Sequence, residues 1–135
     1  MKKILLSIIL FFGLFITNAQ TLTVTTDKNP ALVGEQILIK FTVNAKAKDF
    51  KSPNFQGLRI LSGPNSSSSS SYSFVNGESK SEITTTYSYY VSASKEGNYT
   101  ISSASVNANK KTISSNPLII KVVKGKKQEN NNIEK

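Results

Sequence analysis

The chain has 135 residues, with 17 Lys and Arg against 8 Asp and Glu, a formal charge of +9, and no His, Cys or Trp. That inventory excludes a disulfide framework, a thiolate or imidazole metal site, and any nucleophile activated by His. The length leaves room for one domain once a leader is subtracted.

Lys2 and Lys3 precede an apolar run from Ile4 to Ile16, broken by Ser7 and Gly13, and Thr17-Asn18-Ala19 follow it. This is the pattern of a secretory signal peptide over residues 1–19. The run is shorter than the roughly 20 apolar residues of a spanning helix. Cleavage is expected to leave Gln20 as the amino terminus of a 116-residue chain with 15 positive and 8 negative side chains. No later apolar run is as long, so no transmembrane segment is expected in the mature chain as given. Without Cys there is no lipoprotein-type anchor at the cleavage site.

Leu22 to Thr26 alternates as a strand does and stops at Asp27-Lys28-Asn29-Pro30, a turn by composition. After Val33-Gly34-Glu35, residues Gln36 to Val43 place Ile37, Ile39, Phe41 and Val43 on one face at period two, which predicts a core strand. Asp49 to Phe55 reads as irregular, because Pro53 has no N–H to give to a ladder. Leu58 to Leu61 reads as a short strand closed by Ser62-Gly63-Pro64.

Six serines, Ser66 to Ser71, look in isolation like a linker. They are followed by Tyr72 to Val75, by Asn76-Gly77, a strong two-residue hairpin turn, and by an alternating stretch from Glu78 to Ser92. That stretch puts Ile83, Thr85, Tyr87, Tyr89 and Val91 on one face. The serine run is therefore read as its hairpin partner, exposed near Asn76-Gly77 and better packed toward Tyr87 and Val91. Tyr99 to Val106 supplies one or two short strands, with Tyr99 placed as in a tyrosine corner, and Pro117 to Val123 supplies the last.

With no helical period, these elements predict an all-β, immunoglobulin-like or fibronectin-like antiparallel β-sandwich of about seven strands over residues 20–124. A polar, Asn-rich tail over 125–135 is expected to be flexible. Most lysines are scattered, only Lys121, Lys124, Lys126 and Lys127 cluster, and no interleaved aromatics accompany them, so nucleic acid is not an expected partner.

The chemistry-bearing residues are few. Glu78 and Glu82 lie about 13 Å apart along a strand, too far for a glycosidase pair. Asp27 and Glu35 face each other across the Pro30 loop, a hard-cation geometry that turn and surface roles explain better. No catalytic, cofactor-binding or metal residue is assigned. Binding remains, either to protein partners through strand edges or loops, or to carbohydrate or another surface through exposed tyrosines drawn from Tyr72, Tyr87, Tyr89, Tyr90 and Tyr99.

The ordered set Val33-Gly34-Glu35, Phe50, Pro53 and Phe55, Ile60 to Pro64, the serine strand to Asn76-Gly77, Thr86 to Val91, Gly97 to Ala104 and Ser115-Asn116-Pro117 resembles the amino-terminal part of the BatD family. The resemblance covers roughly Leu22 to Lys124, and the signal peptide is similar to those of Bacteroidetes. It implies an envelope protein linked to oxygen or stress tolerance, in the periplasm or at the periplasmic face of the inner membrane. It also implies neighbours of von Willebrand A-domain type, a tetratricopeptide-repeat protein and a MoxR-type ATPase. Two departures are Ser103, where the family tends to have Pro, and an expected end after one sandwich where relatives continue to a transmembrane helix. On this reading the chain is a non-enzymatic interaction module without a cofactor. Its candidate partner-binding hairpin carries Ser68, Ser70, Tyr72, Asn76 and Gly77.

Overall fold

The computed structural model describes residues 20–125, within which ten strands and no helix form. The predicted signal peptide, and all of the predicted tail except Gly125, lie outside the described residues. The strands are β1 (Leu22–Thr26), β2 (Ala31–Leu32), β3 (Ile37–Val43), β4 (Ala47–Lys51), β5 (Arg59–Val75), β6 (Glu78–Ser92), β7 (Gly97–Ile101), β8 (Ser105–Ala108), β9 (Lys111–Ser114) and β10 (Leu118–Val123).

The period-two alternation of β3 is realised as expected: Ile37, Ile39, Phe41 and Val43 are fully buried while the intervening residues face outward. β3 pairs antiparallel with β1 on one side and with β6 on the other, and β5 closes the far edge, giving a layer in the order β1-β3-β6-β5.

The remaining six strands form a second layer from two short sheets, β2-β10-β7 and β4-β8-β9. The pairs from Ala108↔Lys111 through Gly97↔Val122 keep a single register, so β7 with β8 and β9 with β10 are the two limbs of one interrupted hairpin. The interruption has a local cause. In that register Pro117 stands opposite Ser102 and has no N–H to donate. The Ser102 N–H turns to the Asn54 carbonyl at 3.1 Å, and the Ser102 hydroxyl accepts from the Asn54 N–H at 2.7 Å. Nearby, the Ser115 N–H donates to the Ala104 carbonyl and the Ser115 hydroxyl accepts from the Ala104 N–H, both at 2.9 Å.

With β1/β2, β7/β8 and β9/β10 each taken as one strand with a break, seven remain. Their two layers follow the strand arrangement of an immunoglobulin-like sandwich. A core without disulfide or Trp is filled by aromatic rings. Phe50 stacks on Tyr87 at 4.2 Å, Phe55 packs on Tyr89 at 4.7 Å, and Phe41 meets Tyr89 edge-on at 6.2 Å. Burial raises the pKa of both Tyr87 and Tyr89, and the Tyr89 hydroxyl is hydrogen-bonded to Ser52. Tyr99 Oη donates to the Lys95 carbonyl at 2.7 Å, the bond of a tyrosine corner.

Three local expectations are corrected. Asp49 to Phe55 is not wholly irregular, because β4 forms ahead of Pro53 and accommodates Asp49, at φ 54°, with a register shift against β8. Ser62-Gly63-Pro64 does not end a strand: register shifts between Ile60 and Asn65 absorb it, and β5 continues to Val75. Pro64 is tolerated there because β5 is an edge strand. The better packing expected toward Tyr87 and Val91 is found, with both buried and Ile83, further out on the same face, 40% exposed. The short strands β2 and β9 join the second layer where no strand was expected.

The Asp27–Pro30 turn carries the chain from the first layer to the second. Asp27 Oδ1 accepts from the Leu38 N–H at 2.8 Å, and Asn29 brackets β10, donating to the Ile119 carbonyl and accepting from the Lys121 N–H. Glu35 accepts from the Leu32 N–H at 2.9 Å and pairs with Lys28 at 3.1 Å. These contacts, the backbone bond first and Lys28 second, hold its carboxyl below the usual glutamate pKa. A depressed folded-state pKa stabilises the fold above the ordinary carboxylate range, and that contribution fades as pH falls through the folded value. Glu35→Gln is therefore expected to melt below the parent chain at neutral pH, with the gap narrowing as pH falls below the ordinary glutamate range. Thermal melts across pH check this, and a gap that persists in acid contradicts it.

Candidate partner-binding hairpin

The β5–β6 hairpin is longer than the sandwich that holds it. β6 pairs with β3 only from Thr85 to Val91, whereas it pairs with β5 along its whole length to Val75↔Glu78. Ser69–Val75 and Glu78–Thr84 thus form a two-stranded arm beyond the first layer. Its tip is the predicted turn: Asn76 at φ 53° and Gly77 at φ 79° match the two positive φ values of a type I′ hairpin.

Residues directly paired across an antiparallel ladder share a face, so the register assigns each side of the arm. Ser68↔Thr85, Ser70↔Ile83, Tyr72↔Ser81 and Phe74↔Ser79 lie on the face that, nearer the body, continues into buried Thr85, Tyr87 and Tyr89. Ser71↔Glu82, Ser73↔Lys80 and Val75↔Glu78 lie on the other. One side carries Tyr72, Phe74 and Ile83 with no charge. The other carries every charge of the arm.

The arm gains little from burial. Every residue of β5 is exposed, Tyr72 by 72% and Phe74 by 68%. Of the candidate residues, Ser68, Ser70 and Tyr72 fall together on the uncharged face and Asn76 and Gly77 form the tip. Phe74 and Ile83 belong to the same face and were not among the candidates. The signal for Phe74 was its spacing of two from Tyr72, and that for Ile83 its place on the apolar face of the alternating stretch Glu78 to Ser92.

At the root of the uncharged face is a cleft of about 350 Å³ lined by Lys46, Ala47, Ser66 to Ser68, Thr85 and Tyr87. A larger open cleft of about 640 Å³ lies between β1 and the β9–β10 limb, and none of its lining side chains is titratable. Asp27 and Glu35 are engaged in the loop contacts above. Glu78 and Glu82 share a face with Lys80 between them in register. Among the described residues, no group of three or more Asp or Glu side chains is placed to hold a metal ion.

The tyrosines do not form a row for stacking a sugar. Tyr87 and Tyr89 are in the core, Tyr99 is in its corner, and Tyr72 and Tyr90 lie on opposite faces of the β5–β6 ladder. What the hairpin offers is an apolar, uncharged face beside an unpaired strand edge, a surface suited to binding polypeptide.

Comparison with known proteins finds one family, described as the BatD DUF11 like domain, which matches residues 24–122. No curated protein and no solved structure matches the chain.

Proposed function

The chain belongs to the BatD family, and from that premise we propose that it is a non-enzymatic interaction domain of the bacterial envelope whose β5–β6 arm docks to a partner protein. The partner class is a von Willebrand A-domain protein, acting with a MoxR-type ATPase in oxygen or stress tolerance. The site of action is the periplasm or the periplasmic face of the inner membrane. No cofactor is required for this role.

The observation that supports this reading is the arm itself. Ser69–Val75 and Glu78–Thr84 bury almost nothing in their own domain and leave Tyr72, Phe74 and Val75 in solvent. Exposed apolar side chains grouped on one strand pair are costly to a monomer unless something covers them. The outer edge of β5 adds free backbone donors and acceptors from Ile60 to Val75, a stretch without a charged residue.

The test shortens the arm without disturbing its root. Removing Tyr72–Val75 and Glu78–Ser81 joins Ser71 to Glu82, an existing cross-strand pair, through Asn76-Gly77. The shortened chain is expected to melt within a few degrees of the parent and to lose most of its co-purification with the von Willebrand A-domain partner. Full recovery of that partner on the shortened chain contradicts the reading.

A further inference from the structure

The free edge of β5 is regular from Asn65 to Val75: over that span its register against β6 does not shift, and no residue is charged. Pro64 bounds it on one side, having no N–H to offer a ladder, and the Asn76-Gly77 turn bounds it on the other. Ser70 is its midpoint.

Which backbone groups reach solvent follows from the turn. In a two-residue hairpin the flanking pair, here Val75↔Glu78, exchanges both backbone hydrogen bonds, and bonded and non-bonded pairs alternate from there. Every second residue from Val75 back to Asn65 therefore spends its N–H and C=O on β6. Ser66, Ser68, Ser70, Tyr72 and Phe74 direct theirs to the free edge, and the same five place their side chains on the uncharged face.

A strand laid antiparallel on its own copy pairs positions equally distant from a two-fold axis. With the axis at Ser70, Ser70 meets Ser70, Ser68 meets Tyr72 and Ser66 meets Phe74. Every member of these pairs has free backbone groups, so the five rungs use each free N–H and C=O between Pro64 and the turn. Residues opposite one another share a face, and each aromatic ring thus lies beside a small serine of the other copy. Ser66 and Ser68 also line the cleft of about 350 Å³ at the arm's root. The register delivers the second copy's Phe74 and Tyr72 to the mouth of that cleft, and the reverse contact follows by symmetry.

We propose that β5 pairs antiparallel with β5 of a second copy about a two-fold axis at Ser70. The pairing joins two first layers into one eight-stranded sheet and seats Tyr72 and Phe74 of each copy at the root cleft of the other. It goes beyond the docking reading, since it concerns what the edge binds when no partner holds it. The chain's positive excess does not oppose it, because none of that charge lies in the paired strands. Four aromatic rings, each able to bury about 150–250 Å², supply most of the ~1,200 Å² at which stable interfaces begin, and the strands supply the rest.

Sedimentation of residues 20–135 from micromolar to millimolar concentration is expected to show a monomer–dimer equilibrium that added salt does not weaken. Tyr72→Ser with Phe74→Ser is expected to weaken it at least about 10-fold. Ser70→Lys and Ser70→Glu each set like charges face to face at the axis and are expected to stay monomeric, while an equimolar mixture of the two recovers the dimer. Cα atoms of a hydrogen-bonded rung lie about 5.5 Å apart, within disulfide reach, so Ser70→Cys is expected to cross-link on oxidation. Ser67→Cys, whose two copies stand roughly 20 Å apart, is not. Thermal melts confirm that each variant is folded.

A monomer at every concentration, growth beyond a dimer, or a mixture of Ser70→Lys and Ser70→Glu that stays monomeric overturns the proposal. So does equal cross-linking of Ser67→Cys, or a monomer that phosphatidylglycerol vesicles capture through Tyr72 and Phe74. Co-purification separates this from the docking reading. A chain that never dimerises yet loses the von Willebrand A-domain partner on shortening overturns the two-fold pairing and leaves the docking arm standing. A dimer cross-linked at Ser70, together with full recovery of the partner on the shortened chain, does the reverse.

Discussion

Phe41→Asp is expected to leave the domain unfolded at room temperature. Phe41 is fully buried at the centre of β3 and touches the rings of Phe50, at 5.8 Å, and Tyr89, at 6.2 Å. The substitution removes an aromatic side chain, worth about 3–5 kcal/mol in a core, and puts in its place a carboxylate with no cationic partner between the layers. The sum reaches the ~5–15 kcal/mol that holds a whole domain together. Ile39→Asp, one rung away and equally buried, is expected to behave alike. Ser68→Asp, on the exposed edge strand, is expected to stay within about 0.5 kcal/mol of the parent. Circular dichroism melts compare the three, and equal losses contradict the assignment of faces.

Gly63→Ala is expected to cost about 3 kcal/mol or more, a large effect for one methyl group. Gly63 lies at φ +117°, where a side chain is strained, and a Cβ there meets the Ser88 carbonyl oxygen at 2.7 Å and Tyr89 Cδ1 and Cα at 2.8 and 3.0 Å. The first and last of these contacts are backbone atoms of β6, paired into both of its neighbours, so they have little freedom to retreat. Gly34→Ala is the control. It shares a positive φ, at +80°, but its Cβ enters open space, and a cost of only about 1 kcal/mol is expected. Urea denaturation of the two variants decides it, and equal midpoints mean that the approach of β5 to β6 at Gly63 is looser than described.

Legibility in the sequence followed the range of the interactions. β3 was readable because four apolar residues at period two report burial on one face without knowledge of anything distant. The β5–β6 hairpin was readable because Asn76-Gly77 sets its own turn. Gly63-Pro64 was misread because the same dipeptide ends a central strand and merely bulges an edge strand, and edge position is a property of the whole sheet. β9 offers one apolar residue, Ile113, in four, and takes its place only from the register of its partner β8. Ile83 was placed by its alternation on the same face as Thr85, Tyr87 and Tyr89, without a decision on its burial. Its exposure follows from where the second layer stops, and no local pattern carries that. The candidate face was therefore half visible: Ser68, Ser70 and Tyr72 were found from the hairpin, while Phe74 and Ile83 were placed beside them only by the cross-strand register.

The last strand has a consequence for when the fold can form. β10 is clasped near its end by Ala31 and Leu32, is capped midway by the Asn29 side chain, and pairs along its other edge with β7. Ile120 and Val122, both buried, have no place in the core until these distant segments meet. The β5–β6 hairpin joins neighbours in the chain and needs little loop closure, whereas the pairing of β2 with β10 joins residues some 90 positions apart. On a ribosome the arm is thus free to zip early, yet the second layer stays unfinished until residue 123 has emerged. The domain therefore remains open and threadable while nine of its ten described strands are already made, and closes only when the tenth arrives.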